Sequence, residues 1–123
     1  MQWAHTDRDE KLLNGVHKYL IHFDKGKIPP VGAFWAISMY NATTYMLVPN
    51  SINRYSLGSQ KDKFIYNTDG SLDVYIQHDE PTGKELNWLP APEGKYYLIL
   101  KMARPSPEIL NGTYQIPWVQ KVV

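Results

Sequence analysis

His78-Asp79-Glu80 sets an imidazole beside two carboxylates, the residue types that ligate metals or move protons. Their spacing argues against a shared task, because adjacent residues on an extended chain point to opposite sides and cannot all close on one ion. What remains is a polar strand end, in the loop region where a β-sandwich gathers its binding groups. His17 and His22 have an odd separation and also face opposite sides of a strand, so no metal set is expected.

Arg54 stands between Asn53 and Tyr55 in an irregular stretch. A guanidinium there can take a ligand anion, or it can clamp an internal carboxylate such as Asp73 or Asp79 and pin the crossing segment to the body of the fold. The internal role answers a need, since buried irregular backbone requires side-chain partners. Asn87-Trp88 poses the same choice: Trp88 can stack a sugar or other flat ligand, or plug one end of the core while Asn87 bonds backbone. Arg54, His78, Asp79, Asn87 and Trp88 are therefore the candidate ligand-binding residues, with no catalytic residue assigned. The sequence has no Gly-x-Ser-x-Gly elbow, phosphate-cradling glycine loop or dinucleotide fingerprint, and no cofactor is expected. Ser38 lies inside an aromatic run without the sharp turn a nucleophile needs.

The elements that must position these residues read as strands. Leu72, Val74 and Ile76 alternate with Asp73, Tyr75 and Gln77, behind a turn in which Gly70 suits the left-handed position and Asn67 and Asp69 can bond their own backbone. The reading is a hairpin, with residues 63–66 as its first arm. Tyr19, Ile21 and Phe23 share one face of a second strand over 16–23, and 95–102 forms another. The stretch from Phe34 to Tyr40 is apolar on both faces, with Trp35, Ile37 and Met39 against Phe34, Ala36 and Tyr40, so something beyond a single core must cover it. A loop bearing Trp3 or Trp118 can do so, and so can a partner. Residues 45–48 read as a further strand, and short helical turns are expected at most near 7–13 and 106–110. The expected core is Tyr19, Ile21, Phe23, Phe34, Trp35, Ile37, Leu72, Val74, Ile76, Trp88, Leu98 and Leu100. Short strands spaced by turns, with long crossings at 49–62 and 78–94, imply a single antiparallel β-sandwich of jelly-roll type spanning 1–123.

Composition bounds the rest. A chain of 123 residues is one domain and can bury a core without staples. It has no cysteine, which excludes disulfides, thiolate metal sites and cysteine catalysis. With 13 basic and 12 acidic residues there is no field to draw it onto phosphates, so no nucleic acid is expected as a partner. No apolar run approaches the length of about 20 residues that crosses a bilayer, so no membrane span is expected, and the first residues are polar rather than signal-like.

In order along the chain come Tyr19-x-Ile21-x-Phe23, Pro29-Pro30-Val31-x-Ala33-Phe34-Trp35-x-Ile37-x-Met39-Tyr40, Asn53-Arg54-Tyr55, Asp69-Gly70-Ser71-Leu72 and Asn87-Trp88-Leu89-Pro90-Ala91-Pro92. This series resembles the bacterial domain family of unknown function catalogued as number twelve-fourteen, and the last block is its most specific part. The resemblance implies a jelly-roll sandwich that sits as the C-terminal half of a larger protein beside another domain, in proteins that are often exported or periplasmic. It implies no catalytic residues. The chain departs from the family pattern late, where Lys101-Met102-Ala103-Arg104-Pro105 replaces an arginine and tyrosine before proline. The resulting expectation is a non-enzymatic binding or assembly module, either self-associating as a homo-oligomer or docked on a missing N-terminal partner domain. The rival expectation is a hydrolase using a polar pocket around Arg54, His78 and Asp79.

Overall fold

Alternating burial along the strands builds the fold, which the computed structural model describes for residues 2–60 and 62–122. The strands are β1 (Gln2–Ala4), β2 (Lys18–Phe23), β3 (Val31–Asn41), β4 (Ser56–Gly58), β5 (Leu72–Gln77), β6 (Trp88–Pro90), β7 (Tyr96–Pro105) and β8 (Val119–Val122). A 3-10 turn spans Glu85–Asn87 and a one-turn helix, α1, spans Pro107–Leu110. They form two four-stranded sheets, ordered β1-β7-β3-β4 and β6-β5-β2-β8. All pairings are antiparallel except β5 with β6, which run parallel. The chain changes sheet after β1, β2, β4, β6 and β7, the sheet-to-sheet passage of a jelly roll. The all-β sandwich is thus the one expected.

Register explains the core. In the second sheet Tyr19, Ile21 and Phe23 lie opposite Ile76, Val74 and Leu72, while Leu20 and His22 lie opposite Tyr75 and Asp73 on the outer face. In the first, Ile37 and Met39 face Leu100 and Leu98, and Tyr40 faces Tyr97 on the outside. The inward residues of both sheets join one buried cluster, to which Leu13, Met39, Leu57, Leu89 and Tyr96 add themselves. Every expected core residue is buried except Phe34, which is half-buried because alternation turns it to the outer face next to the Lys101 ammonium, 5.7 Å from its ring centre.

Two local expectations are corrected, and a third segment, where at most a helical turn was expected, is a loop. The 67–70 turn forms, with Gly70 at φ 88° and its N–H donating to the Asn67 carbonyl at 2.9 Å, but 63–66 is not a strand. Both edges of β5 are already taken, by β2 and by β6, so no ladder is left for that arm. Residues 45–48 make only a bridge from Tyr40 to Leu47, because the chain folds into a tight turn in which Tyr45 is left-handed, at φ 61°. Asn41 holds that turn by accepting from the Thr43 and Thr44 N–H groups at 2.8 and 3.1 Å. Residues 7–13 are a loop rather than a helical turn: the buried Asp7 carboxylate accepts from the Asp9 and Lys11 N–H groups at 2.8 and 3.1 Å, and so organises a bend.

Candidate functional site

Arg54 does not clamp a carboxylate. Its guanidinium donates to the main-chain carbonyls of Glu85 and Trp88, at 2.6 and 2.9 Å, and so caps the 3-10 turn where it runs into β6. Asp73 is engaged by His22 and Asn67, and Asp79 is exposed, while a single guanidinium nitrogen, Nη1, serves two carbonyls that the irregular segment leaves without ladder partners. Asn87 is buried in the same turn. Its amide donates to the Ile65 and Asp73 carbonyls, at 2.8 and 2.9 Å, and accepts from the Ile65 N–H at 2.9 Å. One side chain thereby does for Ile65 what a neighbouring strand would have done. Trp88, also buried, donates its indole N–H to the Gln77 carbonyl at 2.8 Å.

His78 and Asp79 follow β5 but face other partners. The His78 Nδ1–H donates to the Ala91 carbonyl at 2.8 Å, and its Nε2 lies 3.5 Å from the Glu93 carboxylate. The Asp79 side chain is exposed, and its main-chain carbonyl accepts from the Gln77 amide at 2.8 Å. The structure therefore brings Arg54, Asn87 and Trp88 together as a latch around β6, while among the described residues no hydrogen bond joins Arg54 to His78 or Asp79. Of the five, Asn87 borders a recess of 290 Å³, shared with Tyr75 and Lys84.

Two further arrangements lie outside the five candidate residues. The first is polar: His22 Nδ1 meets the Asp73 carboxylate at 2.5 Å and its Nε2 meets Asp24 at 3.1 Å. These carboxylates, Asp73 foremost, hold the imidazole above its ordinary titration range against the opposing effect of burial. Asn67 donates to Asp73 at 3.0 Å and to the Ser71 hydroxyl at 2.9 Å, and that hydroxyl donates to Asp69 at 2.6 Å, which keeps Asp69 below the usual carboxylate range. In its protonated form, with a carboxylate at each ring nitrogen, His22 ties β2 to β5. It also stands on the wall of a polar groove of 460 Å³ with Lys27, Glu108, Tyr114 and Gln120. The cross-strand register that pairs His22 with Asp73 was the signal, and it needs the pairing of β2 with β5 to be read.

The second is aromatic. On the outer face of the first sheet, Trp3 stacks on Tyr97 at 5.6 Å between ring centres, His5 on Tyr97 at 5.1 Å, and Tyr40 on Tyr97 at 5.3 Å. Tyr45 leans on the same tyrosine at 6.3 Å from the end of its left-handed turn. Trp3, one of the two tryptophans considered as a cover, stacks on Tyr97 of β7, the neighbour of Tyr40 on β3. The cover is itself exposed: Trp3 keeps 57% of its surface open, Tyr45 72% and Met46 68%.

The sequence matches, over residues 1–107, the family described as a protein of unknown function, DUF1214. The chain belongs to the DUF1214 family. Among solved structures it is similar to the VPA0106 protein from Vibrio parahaemolyticus, with 28% identity and a TM-score of 0.84 over 99% of this chain. The chain spans 30% of the length of that protein. No curated protein matches it. In this DUF1214 domain the Asn87-Trp88-Leu89-Pro90 block coincides with the latch around β6. That placement gives the block a framework role: two of its side chains bond main chain, and Leu89 is fully buried in the core.

Proposed function

We propose that this DUF1214 domain is a non-enzymatic binding module, and that it works through the aromatic face built on Trp3, His5, Tyr40, Tyr45 and Tyr97, docked against another protein domain. The observation that carries this reading is the stacked but open set of rings around Tyr97. Aromatic and methionine side chains are enriched at protein interfaces and form their energetic centres, and here both types cluster with Tyr45, Met46 and Leu47 projecting at the end of the face. Tyr45 also holds a left-handed conformation that costs a bulky residue free energy, and the return for that strain is a ring held at the edge of the stack. A chain that spans 30% of a similar protein gives the face a natural occupant in the remainder of such a protein, and a second copy of this domain is the occupant when that remainder is absent.

The hydrolase reading requires Arg54, His78 and Asp79 to converge on one point, and Arg54 is occupied by two main-chain carbonyls. Sedimentation velocity from micromolar to submillimolar concentration tests the binding reading. The wild-type domain is expected to associate with rising concentration, and the Trp3→Ala/Tyr45→Ala double variant to stay monomeric. In the VPA0106 structure, the face equivalent to this one is expected to be covered by the rest of that chain. A wild-type monomer at all concentrations, together with an open face in that relative, would overturn the reading.

A further inference from the structure

We propose that the space between the two sheets, at the edge ended by β1 and β8, is a binding site for an unbranched aliphatic chain with a small polar head. A cavity of 270 Å³ opens there onto Ile21, Phe23, Ile37, Leu98 and Leu100, all core side chains. Protein interiors are packed with few voids larger than a water molecule, so a space of this size against the core is one that the chain's own side chains leave unfilled. The cause is readable in β1. Its residues opposite Leu100 and Leu98 are Gln2 and Ala4, a polar and a small side chain where β3 and β7 supply isoleucine and leucine. The other wall is the segment Ile116-Pro117-Trp118 leading into β8, which is tied down where Tyr114 donates its hydroxyl to the Lys27 carbonyl at 2.7 Å.

The lining selects the ligand. None of the lining residues is aspartate, glutamate, lysine or arginine, and five of the six core residues in the lining, Val119 included, are aliphatic, which favours a flexible hydrocarbon over a charged or hydrogen-bonding body. Gln2, His5 and Thr6 stand at the polar side of the cavity, where a carboxylate or hydroxyl head finds donors. If each methylene fills roughly the 30 Å³ share of a water molecule, the space holds about nine of them. This site lies between the sheets; Trp3 and His5 border both it and the outer aromatic face, whereas Tyr40, Tyr45 and Tyr97 belong to the face alone, so the two can be tested apart at Ala4 and Tyr45.

The test is a titration of the full chain, labelled at its isoleucine and leucine methyls, with the sodium salts of hexanoic, octanoic, decanoic and dodecanoic acids below their micelle concentrations. Saturable shifts are expected at Ile21, Ile37, Leu98 and Leu100 but not at Leu57 or Leu89 near the opposite edge. Affinity should rise about fourfold per methylene up to decanoate and then level off. Ala4→Leu, which plugs the cavity from β1, is expected to weaken decanoate binding at least tenfold with the melting temperature unchanged or raised, while Tyr45→Ala, outside the cavity lining, leaves it intact. Shifts that never saturate, an affinity that keeps climbing with length, or wild-type binding by a folded Ala4→Leu protein would each overturn the proposal. The length series on the wild-type chain decides it even where the plugged variant does not fold.

Discussion

Asn87→Ala separates a framework residue from a ligand residue. The amide makes three hydrogen bonds to main chain, two with Ile65 and one with Asp73, and is 4% exposed. Each such bond contributes about 1 kcal/mol net. Water can partly replace the amide at Ile65, whose side chain is exposed, but the Asp73 carbonyl belongs to the strand flanked by β2 and β6. The expected loss is therefore about 2–3 kcal/mol. For a chain of 123 residues an unfolding entropy of about 2.1 cal/mol/K per residue converts this into a fall in melting temperature of roughly 8–12 °C. Asn87→Asp should do worse at neutral pH, since it keeps the acceptor for the Ile65 N–H but turns a carboxylate toward two carbonyls; protonation in acid should recover part of the loss. Urea and thermal unfolding followed by circular dichroism give both numbers, with the exposed His78→Ala as a variant expected to lose far less. A loss below about 1 kcal/mol in Asn87→Ala would refute the strand-substitute argument and return Asn87 to the ligand-binding set.

His22 gives the domain a pH dependence whose sign follows from its raised pKa. The charged imidazole stabilises the fold in full below the unfolded value of about 6.5, and that contribution fades as pH rises through the higher folded value. Unfolding midpoints are expected to fall above that point in the wild type and to flatten across the same window in His22→Gln, and an imidazole NMR titration with a midpoint at or below the ordinary value would contradict this. Gly58→Ala should cost about 2–3 kcal/mol, because a Cβ there would lie 2.5 Å from the Trp35 carbonyl oxygen and 2.8 Å from Ala36 Cβ in the β3–β4 pair. Gly94→Ala, where a Cβ meets open space, is the matched comparison in the same denaturation assay.

What was legible in the sequence was whatever one segment can specify alone. The alternation of Tyr19, Ile21 and Phe23 and of Leu72, Val74 and Ile76 carries a period of two, and it fixed which faces turn inward once any partner sheet existed. The two apolar faces of β3 were equally plain, and Trp3, one of the two tryptophans the sequence offered as a cover, stacks on the β7 ring Tyr97 that lies against Tyr40 of β3. Elements that exist only through a partner were not legible. β1 is three residues long and forms because β7 pairs with it, and β6 is three residues ending in a proline that runs parallel to β5. The failed arm at 63–66 has the same origin, since its strand character is local but the edge it required had been claimed by residues far along the chain. Among the candidate site residues, type was informative and partner was not: Arg54 and Asn87 are polar groups suited to serving irregular backbone, but the carbonyls they serve lie 31–34 and 14–22 residues away.

The two lateral edges of the sandwich are treated in opposite ways, and this bears on where binding can occur. At the β4 and β6 edge, unpaired main chain is consumed internally by Arg54, Asn87 and Trp88, so the residues that looked most chemical in the sequence leave little donor capacity for a ligand. At the β1 and β8 edge the strands are short, the adjoining face carries exposed aromatic rings, and the space behind it lacks side-chain volume. Exposed apolar surface and unfilled core space both cost free energy in the isolated domain, and both are recovered by an occupant. Their coincidence on one edge, opposite an edge closed by side-chain latches, makes β1 the element on which binding by this domain should depend. Because Trp3 borders both surfaces, they are tested apart at Ala4, which lines the cavity, and at Tyr45, which joins only the outer stack.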